Sequence, residues 1–254
     1  MAVARSKASL PPGRGGWFRR TNLLTSVLLV FPLFLVYQIG VLAIPQSYNG
    51  ADLITTQLLR LLHGQTGTYI LVNLALGLVF VVIVGVMRHK NEFTPRLFIP
   101  VVIESAVYAV TMGSLILFVM LNILHVDPGL RIAPAAAAAG PADVGFFGRI
   151  ILSFGAGVHE ELVFRLMMIP ALVALGTRAL KLKRFWAVAL AFMISAVLFS
   201  AAHHVVGGEP WRLGVFVYRL LCGLFFATLF QVRGFAVAVY SHALYDIFVL
   251  TLHG

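Results

Sequence analysis

The chain has 254 residues, 60% of them hydrophobic and only 11% charged, with a formal net charge of +10. Soluble domains carry about one-quarter charged residues, so this balance excludes an ordinary water-soluble core and calls for a bilayer. The basic residues sit in short clusters between apolar runs, which reads as membrane topology and argues against a nucleic-acid partner. The single cysteine, Cys222, lies inside an apolar run and excludes a disulfide framework or a cysteine-rich metal site.

The first 22 residues form a basic segment that includes Arg5, Lys7, Arg14, Arg19 and Arg20. Three apolar runs follow over residues 23–124, from Leu23 to Ile44, Tyr69 to Met87 and Leu97 to Leu124. Each approaches or exceeds the roughly 20 residues that cross about 30 Å of hydrocarbon at 1.5 Å per residue. The first resembles a signal peptide, but its apolar run exceeds a typical h-region and is predicted to be a retained anchor. Between the first two runs, the leucines of Ala51 to His63 suggest a short helix lying at the interface, with a plain loop as the equal alternative. Residues 125–145, with Pro128, Pro134, a run of alanines and Pro141, read as a flexible external linker. Four rear runs occupy residues 146–254: Phe146 to Gly176, Phe185 to Ala202, Trp211 to Phe230 and Gly234 to Leu252. Lipid leaves open backbone groups unsatisfied, so each must be helical. The predicted fold is therefore all-α, a polytopic transmembrane bundle of about seven spans with its chemistry in the last four. No internal repeat supports an inverted-repeat transporter. Counting Lys and Arg in the connections places the N-terminus on the cytoplasmic side of the inner membrane, with Arg88, Lys90, Arg96, Arg178, Lys181, Lys183, Arg184 and Arg233 on that face.

Ionisable residues inside a bilayer are costly and usually mark function. Here they gather in the rear spans: Glu160, Glu161 and Arg165, then His203 and His204, then Arg219, then His242 and Asp246. Positions i and i+4 share a helix face, whereas adjacent positions point about 100° apart. Glu161 thus matches Arg165 and Glu160 does not, which assigns Glu160 to chemistry and the Glu161/Arg165 pair to positioning. The same spacing puts Phe199 beneath His203 and places His242 and Asp246 together, so each histidine has an orienting neighbour. His159 and His204 read as interfacial bystanders, and Arg219 and Glu104 as helix-pairing partners, with Arg219 set to neutralise Glu161 or Asp246. Gly223 and Ala227 read as close helix packing. His159-Glu160-Glu161-Leu162-Val163 begins like a zinc-protease helix, but Val163 stands where the second histidine belongs. No G-x-S-x-G is present, and Cys222 has no acid/base neighbour at helical spacing.

Glu160-Glu161-x-x-x-Arg165, Phe199-x-x-x-His203 and His242-x-x-x-Asp246, in this order on separate spans, resemble the motifs of the CPBP (Abi) family of CAAX-protease-like intramembrane glutamic endopeptidases. The resemblance covers about Phe146 to Leu252. It implies that Glu160 and His203 activate a water for attack on a peptide carbonyl and that His242, assisted by Asp246, stabilises the oxyanion. The eukaryotic CAAX endoprotease has asparagine at the last position; an ionised Asp246 cannot donate a hydrogen bond, so it acts protonated or by orienting His242. No cofactor is implied, and the expected partners are a membrane-anchored protein or peptide substrate and the lipid bilayer. Two alternatives stay open at this point. One is a zinc-dependent membrane protease with His203, His242 and Glu160 as ligands; the other is a non-enzymatic carrier or immunity protein in which the same residues relay protons.

Overall fold

The structure, a computed structural model, describes residues 20–43, 66–88, 93–128, 145–205 and 210–252. The predicted interfacial helix and most of the predicted linker lie outside these residues. Among the described residues every regular element is helical. The helices are α1 (Leu23–Ala43), α2 (Thr66–Arg88), α3 (Phe98–Asn122, entered through a single 3₁₀ turn at Pro95–Leu97), α4 (Phe146–Glu160), α5 (Ile169–Arg178), α6 (Arg184–Val205), α7 (Leu213–Val232) and α8 (Phe235–Leu252). All seven apolar runs are thus helical. The fourth is not one uniform helix, because a π-helical segment, Glu161–Met168, joins α4 to α5. Leu23–Val41, Pro95–Asn122, Arg184–Val205 and Leu213–Val232 are each long and apolar enough to cross a membrane, and Phe235–Thr251 is a shorter apolar helix. The chain is an integral membrane protein.

At the centre stands α8. Its first half is made of small and β-branched residues, Ala236, Val237, Ala238, Val239 and Ala243, all without solvent exposure. That composition lets α1, α3, α4 and α7 pack on it from several sides. The approach to α4 is a close one. A Cβ on Gly157 would lie 2.9 Å from the Ala243 Cβ and 3.0 Å from the Val239 carbonyl oxygen, so only glycine fits. A second close approach joins α6 and α7, where a Cβ on Gly223 would lie 3.0 Å from Ala196 Cα, in keeping with the packing read from Gly223 and Ala227.

One end of the bundle is tied by polar contacts. Thr21 donates its backbone N–H to the Arg233 carbonyl at 3.1 Å, and Thr94 donates to Thr25 Oγ1 at 3.2 Å, which brings the starts of α1 and α3 beside the α7–α8 turn. Gly234 makes that turn at φ +103°, a left-handed conformation open to glycine. Arg233, counted from sequence among the cytoplasmic-side charges, is 5% exposed and grips Glu104 of α3 with both sides of its guanidinium, including NH2 to Oε2 at 2.7 Å. Tyr108 donates to the same carboxylate at 3.0 Å. Glu104 is a helix-pairing residue as expected. At the opposite end, Arg149 near the start of α4 donates to the Leu250 carbonyl of α8 at 2.9 Å.

Candidate active site

Glu160 closes α4 and Glu161 opens the π-helical segment, so the two carboxylates leave the chain where the helix widens. Single-turn π insertions recur at functional sites because they re-aim side chains. Glu160 is 3% exposed, and its Oε2 has no hydrogen-bond partner within the protein. Two imidazoles face that oxygen: His203 Nε2 from α6 at 3.7 Å and His242 Nε2 from α8 at 3.8 Å. Both separations exceed a direct hydrogen bond.

The other nitrogen of each ring is fixed. His203 Nδ1 lies 2.8 Å from the Phe199 carbonyl oxygen. A carbonyl only accepts, so Nδ1 carries a proton, and in the neutral form of the ring the lone pair at Nε2 is turned toward Glu160. His242 Nδ1 lies 2.8 Å from Glu161 Oε1, a carboxylate oxygen that likewise accepts. The orienting partner of His242 is therefore Glu161, reached across the helix interface. Asp246, given that part from spacing, stands with Oδ2 3.6 Å from Nε2, on the face that looks at Glu160. Its side chain, 21% exposed, is the most open of the group.

Glu161 is shared. The oxygen that holds His242 is also 3.0 Å from Arg165 NH1, with both side chains completely buried. A buried pair is stable only when further contacts replace the lost water. Arg165 NH2 donates to the Gly223 carbonyl at 3.2 Å, and its guanidinium carbon lies 4.3 Å from the centre of the Phe199 ring, 5.5 Å from Phe226 and 5.8 Å from Phe164. Phe226 in turn stacks on His242 at 4.5 Å and 12°. Phe199 touches both histidine rings, at 4.9 Å and 6.0 Å between centroids. Arg165 and Phe199 thus bind α6, α7, α8 and the π segment into one support for the two imidazoles.

All seven residues singled out from the motifs, Glu160, Glu161, Arg165, Phe199, His203, His242 and Asp246, are brought together. Arg219 of α7 lies within electrostatic range of Glu160, His203 and Asp246. His204 is half-buried against Trp211 at 5.0 Å, outside the group. His159 is not interfacial. It is 3% exposed, bonded through Nδ1 to the Gly155 carbonyl at 2.9 Å and edge-on to Tyr37 of α1 at 5.1 Å. Phe226 and Gly157 were not singled out for the site. The Gly155-Ala156-Gly157 stretch just before the histidine and glutamates is the sequence signal for the close α4–α8 approach. Among the described residues no group of three or more His, Cys, Asp or Glu side chains is arranged to hold a metal ion.

Residues 143–248 match the family described as type II CAAX prenyl endopeptidase Rce1-like. That is the CAAX-protease-like family which the three motifs resemble, and the match spans every residue of the site. The family is one of CAAX-type peptide hydrolases, and this part of the chain is similar to it. No curated protein and no solved structure matches the chain.

Proposed function

We propose that this protein is an intramembrane endopeptidase that hydrolyses a peptide bond of a membrane-anchored protein or peptide, using a water activated by Glu160 and His203. The observation that carries this reading is Glu160 Oε2, buried, without a hydrogen-bond partner in the protein and faced by two imidazole nitrogens at 3.7 and 3.8 Å. Polar atoms at such separations are suited to a bridging water.

The chemistry follows from the fixed ring nitrogens. A water between Glu160 and His203 donates one hydrogen bond to the His203 Nε2 lone pair and the other to the Glu160 carboxylate. As its oxygen bonds to the substrate carbonyl carbon, Glu160 takes the proton as general base. The carbonyl oxygen becomes the oxyanion of a tetrahedral intermediate. His242, whose Nδ1 proton is engaged by Glu161, donates from Nε2 only as the imidazolium, and the carboxylates of Glu161 and Asp246 would balance that charge. Glu160 then returns its proton to the departing amine as the C–N bond breaks, so no covalent intermediate forms. Stabilisation by such a donor is worth about 2.7–4 kcal/mol.

The basic residues Arg20, Arg88, Arg96, Lys181, Lys183 and Arg184 flank the helix ends on the side where α1 begins, which supports an N-terminus facing the cytoplasm in a multi-pass inner-membrane protein. At 1.5 Å per residue Glu160 lies about 21 Å along α4 from Phe146. His203 is in the last turn of α6. Together with the exposure of Asp246, this supports substrate access from the half of the membrane opposite the basic face.

The test is cleavage of a lipid-anchored reporter peptide by purified protein in liposomes, with elemental analysis and a chelator arm. Glu160→Gln and His203→Ala are expected to lower kcat by at least about 10²-fold, with wild-type cleavage insensitive to chelator. Chelator-sensitive cleavage with stoichiometric zinc would reassign His203, His242 and Glu160 as ligands. Full activity in Glu160→Gln would overturn the mechanism.

A further inference from the structure

An apolar cavity lies outside the catalytic group. It is a groove of about 750 Å³ between α1 and α2, lined on one side by Phe31 and Phe34 and on the other by Gly77, Phe80 and Gly85, with Arg88 at one end. The two helices run antiparallel and touch at few places; Phe31 and Phe80 stack across the gap at 4.7 Å. Two of the residues that α2 presents to the groove, Gly77 and Gly85, carry no side chain. A Cβ added to Gly77 or Gly85 would meet nothing within 4 Å.

A cavity of this size cannot stay empty at the packing density of protein and lipid, and its apolar lining offers water no partners. In a bilayer the filling is hydrocarbon. Along α1 the groove runs from Leu28 to Ile39, about 17 Å at 1.5 Å per residue, which is close to half of a hydrocarbon layer of about 30 Å. Its Arg88 end lies toward the basic face, and a guanidinium is permanently cationic and pairs bidentately with phosphate.

We propose that the α1–α2 groove is a binding site for one anionic phospholipid, with an acyl chain between the two helices and the headgroup phosphate on Arg88. The lipid would act as a wedge completing the packing of α1. Through Phe34 and Tyr37, which contact His159 at 6.0 and 5.1 Å between ring centroids, α1 borders the residue preceding Glu160.

The experiment is native mass spectrometry of the full chain in detergent, with phosphatidylglycerol and phosphatidylcholine of equal chain length as competing probes. Wild type is expected to retain one phosphatidylglycerol in preference to phosphatidylcholine. Arg88→Gln should cut that preference about five-fold, the value of one basic residue at an anionic headgroup, while still retaining lipid. Gly77→Leu/Gly85→Leu puts side chains into the groove at positions where a Cβ meets nothing within 4 Å, and should abolish retention of both lipids while the protein keeps its melting temperature. Equal retention by wild type and the doubly filled variant would show lipid bound elsewhere and overturn the proposal. An S-alkylated peptide that displaces phosphatidylglycerol from wild type at equimolar concentration would assign the groove to substrate and overturn it as well.

Discussion

His242 Nδ1 lies 2.8 Å from Glu161 Oε1, and the same oxygen lies 3.0 Å from Arg165 NH1. One carboxylate therefore holds a histidine of α8 and an arginine of its own helix. The adjacent glutamates divide the work by which neighbours they meet, since Glu160 Oε2 has no such partner in the protein.

This division predicts different signatures for the two glutamine variants. Glu160→Gln removes the base and should leave the fold intact, with an unchanged melting temperature and kcat lower by at least about 10²-fold. Glu161→Gln leaves Arg165 buried with a neutral neighbour, and breaking such a pair costs about 3–5 kcal/mol. Its melting temperature should fall clearly, and kcat with it. Thermal unfolding in detergent beside cleavage rates checks this. Equal melting temperatures for the two variants would remove Glu161 from its supporting role.

Two adjacent histidines give a second contrast. His203 faces Glu160 and is fixed by the Phe199 carbonyl, whereas His204 packs on Trp211 and Phe216. His203→Ala should lose activity by at least about 10²-fold. His204→Ala should retain cleavage within about three-fold, as expected of a side chain that supplies no acid, base or oxyanion contact. Comparable losses in both would mean that the last turn of α6 acts as a structural unit.

Helical arithmetic made Glu161/Arg165, Phe199/His203 and His242/Asp246 readable as pairs because each lies within one helix, four residues apart. It could not show Glu161 against His242, which are 81 residues apart and meet only when α8 packs on the π segment. The widening at Glu161–Met168 was equally hidden, since nothing in the local composition marks it. Burial of Arg233 against Glu104, 129 residues away, belongs to the same class of information. Apolar run length was enough to place the helices, because lipid permits little else. Their neighbours were partly encoded in glycines, as at Gly157 and Gly223, whose meaning depends on the facing helix.

Gly157 supplies a third prediction. Its missing Cβ lets α4 approach α8 one turn from both Glu160 and His242, and a methyl there would sit 2.9 Å from the Ala243 Cβ and backbone nitrogen. Overpacking of this kind costs about 1–3 kcal/mol and shifts backbone. Gly157→Ala should lower kcat more than it raises KM, because the shift separates Glu160 from His242 without altering the substrate path. Steady-state kinetics on one reporter peptide separates the two. An increase confined to KM would place Gly157 in the substrate channel.

The lock at the basic end of the bundle leads to the opposite expectation. Glu104 and Arg233 join α3 to the α7–α8 turn in a bidentate pair, backed by Tyr108, and the same turn takes a hydrogen bond from the Thr21 backbone. None of these residues contacts the catalytic group, but α8 begins two residues after Arg233 and carries His242. Removing one partner leaves the other charge buried and uncompensated, at about 3–5 kcal/mol. Glu104→Gln should therefore lower the melting temperature substantially while kcat, measured well below it, stays within about two-fold of wild type, since a surviving fold keeps α4, α6 and α8 in place. The double variant Glu104→Leu/Arg233→Met should recover much of the loss, because replacing a buried pair with apolar residues of similar volume is often neutral or stabilising. Recovery of stability with kcat unchanged would mark the pair as architectural. Loss of kcat in the thermally rescued double variant would instead show that the charge pair sets the position of His242 directly.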